Sequence, residues 1–250
     1  MRSTMLKLLA GMSLLSVTVV GAVTSGVSSA GASATSISGG NPSAVASPGS
    51  LLDTWNQTVI FDANAPISGS GLLTSWSFDA ANTGSIALVI AAPTSSWTSV
   101  KGHTTVPVVY VGPTESVTAT PSSPHSYTVT LPGGVWVQSG DVVGFWYDGA
   151  NGDGIVPFSL NCPSTGSCSY TSGTGNFYQA YWGTYPSSPS TGNSVTIFAQ
   201  DYRTYAVSVS GITGAGCKDG GWQSVPFANQ GACVSAFATN GLVPIGAPGH

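Results

Sequence analysis

From about Leu52 to Gly211 the chain alternates apolar and polar side chains at a period of two, interrupted at short intervals by Gly, Pro, Asn and Ser. That is the pattern of short β-strands with turns between them. It predicts strands at residues 55–62 (WNQTVIFD), 72–79 (LLTSWSFD), 85–91 (SIALVIA), 105–111 (TVPVVYV) and 126–131 (SYTVTL). Further strands are predicted at 155–160, 176–185, 195–200 and 205–209. In residues 72–79, Leu72, Thr74, Trp76 and Phe78 fall on one face and Ser75, Ser77 and Asp79 on the other, so one face is buried and the other wet. Pro107 marks its strand as an edge or a bulge, and the Pro-rich stretch 113–124 reads as a connection.

The densest stretch is 132–148, PGGVWVQSGDVVGFWYD. Ser139-Gly140-Asp141 supplies a turn signal between two aromatic-bearing runs, which predicts a hairpin with Asp141 as a turn residue. No segment before Gly211 shows helical periodicity. The fold class expected is therefore all-β: an antiparallel two-sheet β-sandwich of jelly-roll kind over residues 52–211, followed by a small disulfide-stapled helical module at 212–250.

Composition agrees with many strands and turns: 42% hydrophobic and only 6% charged residues, with 33 Gly and 16 Pro in a chain of 250. Ordinary domains carry about 25% charged residues, so solubility here must rest on Ser and Thr hydroxyls and exposed backbone. Arg2 and Lys7 precede an apolar run at 8–23 and then Ala32-Ser33-Ala34, the parts of an export signal, with cleavage expected after Ala34. An uncleaved anchor would need about 20 apolar residues, and this run is interrupted by Gly11, Ser13, Ser16 and Thr18. No Cys follows the run, which excludes lipid attachment there. Residues 35–51, rich in Ser, Gly, Ala and Pro, read as a flexible spacer. Past the signal only Lys101, Arg203 and Lys218 are basic, against nine acidic residues. Nucleic acid and anionic membrane are thus not expected partners, nor is a stable membrane span after processing.

Four Cys in an exported chain point to two disulfides, and spacing favours the local pairs Cys162 with Cys168 and Cys217 with Cys233 among three connectivities. The three His show no ligand spacing to any Cys, which weakens a zinc reading. Residues 216–241, GCKDGGWQSVPFANQGACVSAFATNG, resemble a short C-terminal module of secreted actinobacterial proteins: a Cys-Lys-x-Gly-Gly-Trp start, an aromatic, then Asn-Gln-Gly-x-Cys-Val-Ser. Ala228 departs from the Lys that relatives tend to carry there. The resemblance implies export and a disulfide, and no activity. Read by its residues alone, Asn229 can cap a helix over 230–239 that sets Cys233 and Phe237 on one face. So small a unit has almost no core of its own, so the bridge and Trp222 are expected to hold it.

The chemistry on offer is aromatic. Tyr178 and Trp182 fall on one face of their strand, Phe177, Tyr181 and Tyr185 on the other, and exposed rings suit stacking on sugars or on another protein. Rings that simply fill the core explain the same pattern. Asp148, Asn151 and Asp153 place oxygen donors in a Gly-rich loop that suits Ca²⁺, the one cofactor suggested, although a turn accounts for them equally. Catalytic motifs are missing: there is no Gly-x-Ser-x-Gly and no His-Glu-x-x-His. His103 or His125 in a triad, or a pair among Asp62, Asp79 and Asp201, would need distant residues to converge. The expectation is a secreted, non-catalytic binding module that contacts extracellular carbohydrate or cell-wall polymer through Trp146, Tyr178, Tyr181 and Trp182. A structural or protein-interaction surface protein and a secreted hydrolase with an Asp-based site are the alternatives.

Overall fold

In the computed structural model, which describes residues 36–42, 51–63, 65–92, 103–149, 153–160, 178–201, 203–218, 220–225 and 227–240, the strands follow in the order β1 (Ser36–Gly40), β2 (Thr58–Asp62), β3 (Gly71–Ala80), β4 (Gly84–Ala91), β5 (His103–Val117), β6 (His125–Val137), β7 (Val142–Gly149), β8 (Phe158–Leu160), β9 (Tyr178–Thr184), β10 (Ser194–Asp201), β11 (Arg203–Tyr205) and β12 (Val207–Ile212). Helices α1 (Gly214–Lys218) and α2 (Gln230–Asn240) come last, with a 3-10 turn at Gly221–Ser224 between them. The expected cleavage site and the pair Cys162 with Cys168 lie outside the described residues.

Strands β2, β4 and β7 organise the rest. They are buried along almost their whole length, on both faces, which is why TVIFD, SIALVIA and VVGFWY read as nearly unbroken apolar runs. They sit side by side in a closed antiparallel barrel of order β10-β5-β4-β7-β2-β9. On the barrel's inner side Val59, Phe61, Val89 and Trp146 meet Val106, Val195 and Ile197. On its outer side Ile60, Leu88, Phe145 and Tyr147 pack against Trp76, Phe78, Val207 and Val209. These belong to a four-stranded antiparallel sheet of order β1-β12-β3-β6. The all-β, antiparallel architecture is as expected: sheet packs on sheet, and one of the two sheets closes on itself. Closure leaves the barrel without exposed strand edges.

The stretch 132–148 is not a hairpin. Gly140 has φ 93°, and the Gln138 amide donates to the Asp141 carboxylate at 2.8 Å, so Asp141 is a turn residue as expected. The strands on either side part, however: β6 pairs with β3, whereas β7 pairs with β2 and β4. The turn is a corner between layers. Val135 and Val137 enter the shared core from one side of it, Val143 and Phe145 from the other.

The spacer reading of 35–51 is likewise corrected for its first residues. Ser36–Gly40 pairs with β12 from Ser36↔Ile212 to Gly40↔Ser208. Ile37, only 2% exposed, anchors it in the core between outward-facing Ser36 and Ser38. Small residues here permit close approach: a Cβ on Gly40, whose φ is +74°, would lie 2.3 Å from the Val207 carbonyl. Strand β5 runs on through Pro113 to Val117, because its register slips opposite Ala87/Val89 and opposite Ile90/Ala91, and Pro113 falls within the first slip, where no ladder N–H is required.

The alternation in β3 reverses partway. Its register slips between Leu73 and Ser75 against β6, and β12 slips opposite the same point, at Ser210/Gly211. Thr74 is the bulged residue, so Leu73 joins the core with Trp76 and Phe78 while Leu72 turns to the opposite face. There Leu72, Trp136 and Ile212 receive Cys217, Trp222, Phe227, Cys233 and Phe237. Trp136 meets Phe237 edge to face at 4.7 Å. The C-terminal segment therefore shares its core with the sheet and is not held by the bridge and Trp222 alone. The Cys217–Cys233 disulfide is present, with a Cα–Cα distance of 5.8 Å. Asn229 caps α2, its side-chain oxygen accepting from the Ala232 amide at 2.8 Å.

Candidate functional site

The bulge at Thr74 leaves the outer face of β3 with Ser75, Ser77 and Asp79 in succession, and the registers set matching residues beside them. Ser77 lies between Ser208 and Thr128, and Ser75 between Ser210 and Thr130. Ser38 of β1 continues the second row next to Ser210. Hydroxyls meet across the strands: Ser75 Oγ and Ser210 Oγ at 2.8 Å, Ser77 Oγ and Thr128 Oγ1 at 2.9 Å. The result is a flat face of short polar side chains, the surface that a sparsely charged chain needs for solubility.

At the Asp79 end this face dips into a cleft of about 180 Å³, lined by Asn41, Ser77, Asp79, Ser126, Thr128 and Ser208, with Tyr127 at its side. Asp79, 8% exposed, accepts a 2.5 Å hydrogen bond from the Ser126 hydroxyl. Asn41 is fixed from two directions, its amide N–H donating to the Val207 carbonyl at 2.7 Å and its side chain to Asp62 Oδ2 at 2.6 Å. Tyr127 stacks on Phe78 with ring centroids 5.2 Å apart, and Phe78 in turn on Trp76 at 4.4 Å. The Tyr127 hydroxyl is tied to the backbone of Thr118, donating to its carbonyl at 2.9 Å and accepting from its amide at 3.1 Å. The Tyr127 ring thus belongs to the core side of the sheet, and the cleft presents one carboxylate and several hydroxyls; among the described residues no basic side chain lines it. Ligand pockets commonly span about 300–1,000 Å³; this one admits a single ring-sized group.

Of the four rings expected from sequence to form a site, Trp146 is enclosed and not available to a ligand. Trp146 is a core residue, 6% exposed inside the barrel, with its indole N–H donating to the Tyr185 carbonyl at 2.9 Å. A strand covered on both faces leaves no ring free for a ligand. Tyr178, Tyr181 and Trp182 are placed on β9, where Tyr181 lies opposite Phe61 and Trp182 opposite Ile60; their side chains lie outside the described residues. Asp148 is a strand residue opposite Ser85, Asp153 is exposed, and Asn151 lies outside the described residues. The neighbouring backbone is held by Asn56, whose side-chain oxygen accepts from the Gly149 amide at 2.8 Å. Among the described residues no group of three His, Cys, Asp or Glu is placed to hold a metal ion. His125 is exposed at the start of β6, and Asp62 is wholly enclosed.

A second polar centre had no signal in the sequence. Arg203 is ion-paired with Asp53 and lies over the rings of Phe158 and Trp55, at 4.2 and 5.0 Å. The other oxygen of Asp53 accepts from the Tyr205 hydroxyl at 2.9 Å, and the Tyr205 amide donates to Asp62 at 3.3 Å. Burial holds the Tyr205 phenol far above its ordinary pKa and does the same to Tyr147. Both stay protonated, which makes Tyr205 a fixed donor. With Asp53 and Tyr205 enclosed, this centre clamps the segment before β2 to the β8–β11 ribbon.

The cleft residues do carry a pattern that a reader of the sequence could use. S-W-S-F-D, S-Y-T-V-T and S-V-S each put hydroxyls at a period of two, on three strands that prove to be neighbours. Compared with known proteins, the chain matches no family model, no curated protein and no solved structure.

Proposed function

We propose that this protein is a secreted, non-catalytic module that binds extracellular carbohydrate or cell-wall polymer on the outer face of its four-stranded sheet. The observation that carries this reading is the cleft at Asp79, where a carboxylate and four hydroxyl-bearing side chains line one recess of the outer face. Polyhydroxylated rings are recognised by such sets: side-chain hydroxyls and carboxylates exchange hydrogen bonds with sugar hydroxyls. The hydroxyl rows running away from the cleft give further sugar units a neutral, flat surface to lie on. Export is supported by the Cys217–Cys233 disulfide, which persists in oxidising compartments, and by the N-terminal signal pattern. Among the described residues no helix is long and apolar enough to cross a membrane. For hydrolysis, Asp79 is the single acid lining the cleft among the described residues, where paired-acid glycoside cleavage uses two carboxyl groups about 5–10 Å apart. Binding is thus the reading this chemistry supports.

The test is retention of the mature protein on a panel of insoluble polysaccharides, comparing wild type with Ser208→Trp, which fills the cleft from its rim, and with Trp182→Ala. Retention of wild type and Trp182→Ala together with loss of Ser208→Trp is the expected result. Failure of wild type to bind any member of the panel overturns the proposal.

A further inference from the structure

Strand β1 occupies a slot that grips it along both edges. On one side it pairs with β12, from Ser36↔Ile212 to Gly40↔Ser208. On the other, the Ser68 amide donates to the Ser38 carbonyl at 2.8 Å and the Gly40 amide donates to the Ala65 carbonyl at 2.8 Å. Just past the strand, Asn41 is fixed by the Val207 carbonyl and by Asp62, and it lines the cleft together with Pro42. These partners lie far from β1 in sequence, and the pairing with β12 joins the first strand of the fold to the last.

We infer that β1 and Asn41 exchange between two copies of this chain, so that the cleft of each copy takes its Asn41 from the other. The slot is selective for this chain's own segment. Ile37 fills the core, a Cβ on Gly39 would lie 2.9 Å from Ile67, and one on Gly40 would lie 2.3 Å from the Val207 carbonyl. Ile-Ser-Gly-Gly meets these demands and occurs once in the sequence, at residues 37–40, so a second copy is the partner that fits. The strand also has a free leading end, because the expected cleavage after Ala34 leaves only Thr35 ahead of it. At its trailing end the nine residues 42–50 lead to Leu51. At 3.3–3.6 Å each they reach roughly 30 Å, enough to cross to a neighbouring copy. Synthesis makes β1 first of the strands and β12 last, and so long-range a pairing is slow. When β12 is complete, the β1 of a neighbour competes with the chain's own. Reciprocal exchange keeps every contact that β1 makes and closes as a two-fold dimer.

Cross-strand cysteines test the exchange. Ser38 and Ser210 are exposed partners, and Ser38 directs its amide and carbonyl to Ser68, so the two residues face each other without ladder hydrogen bonds. Cα atoms of such pairs lie about 4.5 Å apart, which a disulfide spans. Mature Ser38→Cys and Ser210→Cys proteins, made distinguishable by mass, are unfolded together in acid, where thiols do not exchange, then refolded and oxidised. The control mixes Ser38→Cys with Thr128→Cys, an exposed position on the same face that pairs with Ser77. The expected yield of linked heterodimer is about tenfold that of the control. Light scattering of refolded wild type should find a dimer whose fraction rises with protein concentration. A yield no higher than the control overturns the exchange, and so does a wild type that stays monomeric at every concentration. The double variant Ser38→Cys/Ser210→Cys, refolded dilute, should close the bond within one chain; its failure to do so would overturn the slot itself. None of these outcomes bears on carbohydrate binding, which retention on polysaccharides tests separately.

Discussion

The barrel wall of β2, β4 and β7 and the sheet of β1, β12, β3 and β6 are both antiparallel, and they share one core. They differ in what the second face meets. The wall's second face closes on the barrel interior, so every ring along β7, Trp146 included, becomes core. The sheet's second face meets the C-terminal helical segment at one end and water along the rest, where its strands alternate large apolar with small hydroxylated residues and its one carboxylate lines a cleft. A dense cluster of Trp, Phe and Tyr therefore marks where this protein is covered on both sides. The binding surface we propose lies where the sequence is plain, among Ser and Thr.

The comparison breaks most visibly under truncation. Phe145→Ala in the wall should cost about 3–5 kcal/mol, because Phe145 packs on Tyr147 and Tyr205 in a closed core. Ser77→Ala on the outer face should stay within about 0.5 kcal/mol. Denaturant titrations of the two variants measure the contrast directly; comparable losses would mean that the two faces are not as different as their burial indicates. Next in size is the docking of the C-terminal helix on the sheet. Replacing Cys217 and Cys233 with Ser should cost about 3 kcal/mol by freeing the loop that the bridge closes. Trp136→Ala should expose the amides of α2 to hydrogen exchange even with the bridge intact, since Trp136 packs against Phe237. If α2 stays protected in Trp136→Ala, the segment stands by itself.

The smallest effect concerns the corner between the two layers. Burial raises the pKa of Asp141, and the hydrogen bond from the Gln138 amide opposes that only in part. The folded state therefore holds this proton more tightly than the unfolded chain does. The residue's contribution to stability is fully present in acid, below the ordinary carboxylate pKa, and is lost as pH rises through the elevated folded value. Asp141→Asn retains an acceptor for Gln138 and removes the buried charge. Thermal melts should find it more stable than wild type near neutral pH and level with it in acid. A variant less stable than wild type at neutral pH would make the charge itself part of the corner.

Much of this was legible in the sequence. The period of two gave the strands, the unbroken run SIALVIA marks a strand covered on both faces, and the wet face of Ser75, Ser77 and Asp79 is where residues 72–79 place it. Asn229 as a helix cap followed from its position before a helical run. The layering was not legible, because a turn such as Ser139-Gly140-Asp141 joins paired strands or turns a corner with the same residues, and only long-range pairing decides. The reversal at Thr74 was hidden for a related reason: a bulge is set by both neighbours of β3. The cleft collects Asn41, Asp79, Ser126 and Ser208 from positions spread over most of the chain, and no local pattern joins them. Trp146 misled because ring content is the same whether a strand has one covered face or two.

The central claim is that ligand chemistry sits on the hydroxylated sheet and not on the aromatic barrel. Backbone amide shifts, followed by NMR as a soluble oligosaccharide cut from the polysaccharide that retains the mature protein is added, test it most directly. The account predicts shifts that saturate at Ser77, Asp79, Ser126, Tyr127, Thr128 and Ser208, with β9 unmoved. Shifts centred on Tyr178, Tyr181 and Trp182, or no saturable shift anywhere, would contradict it.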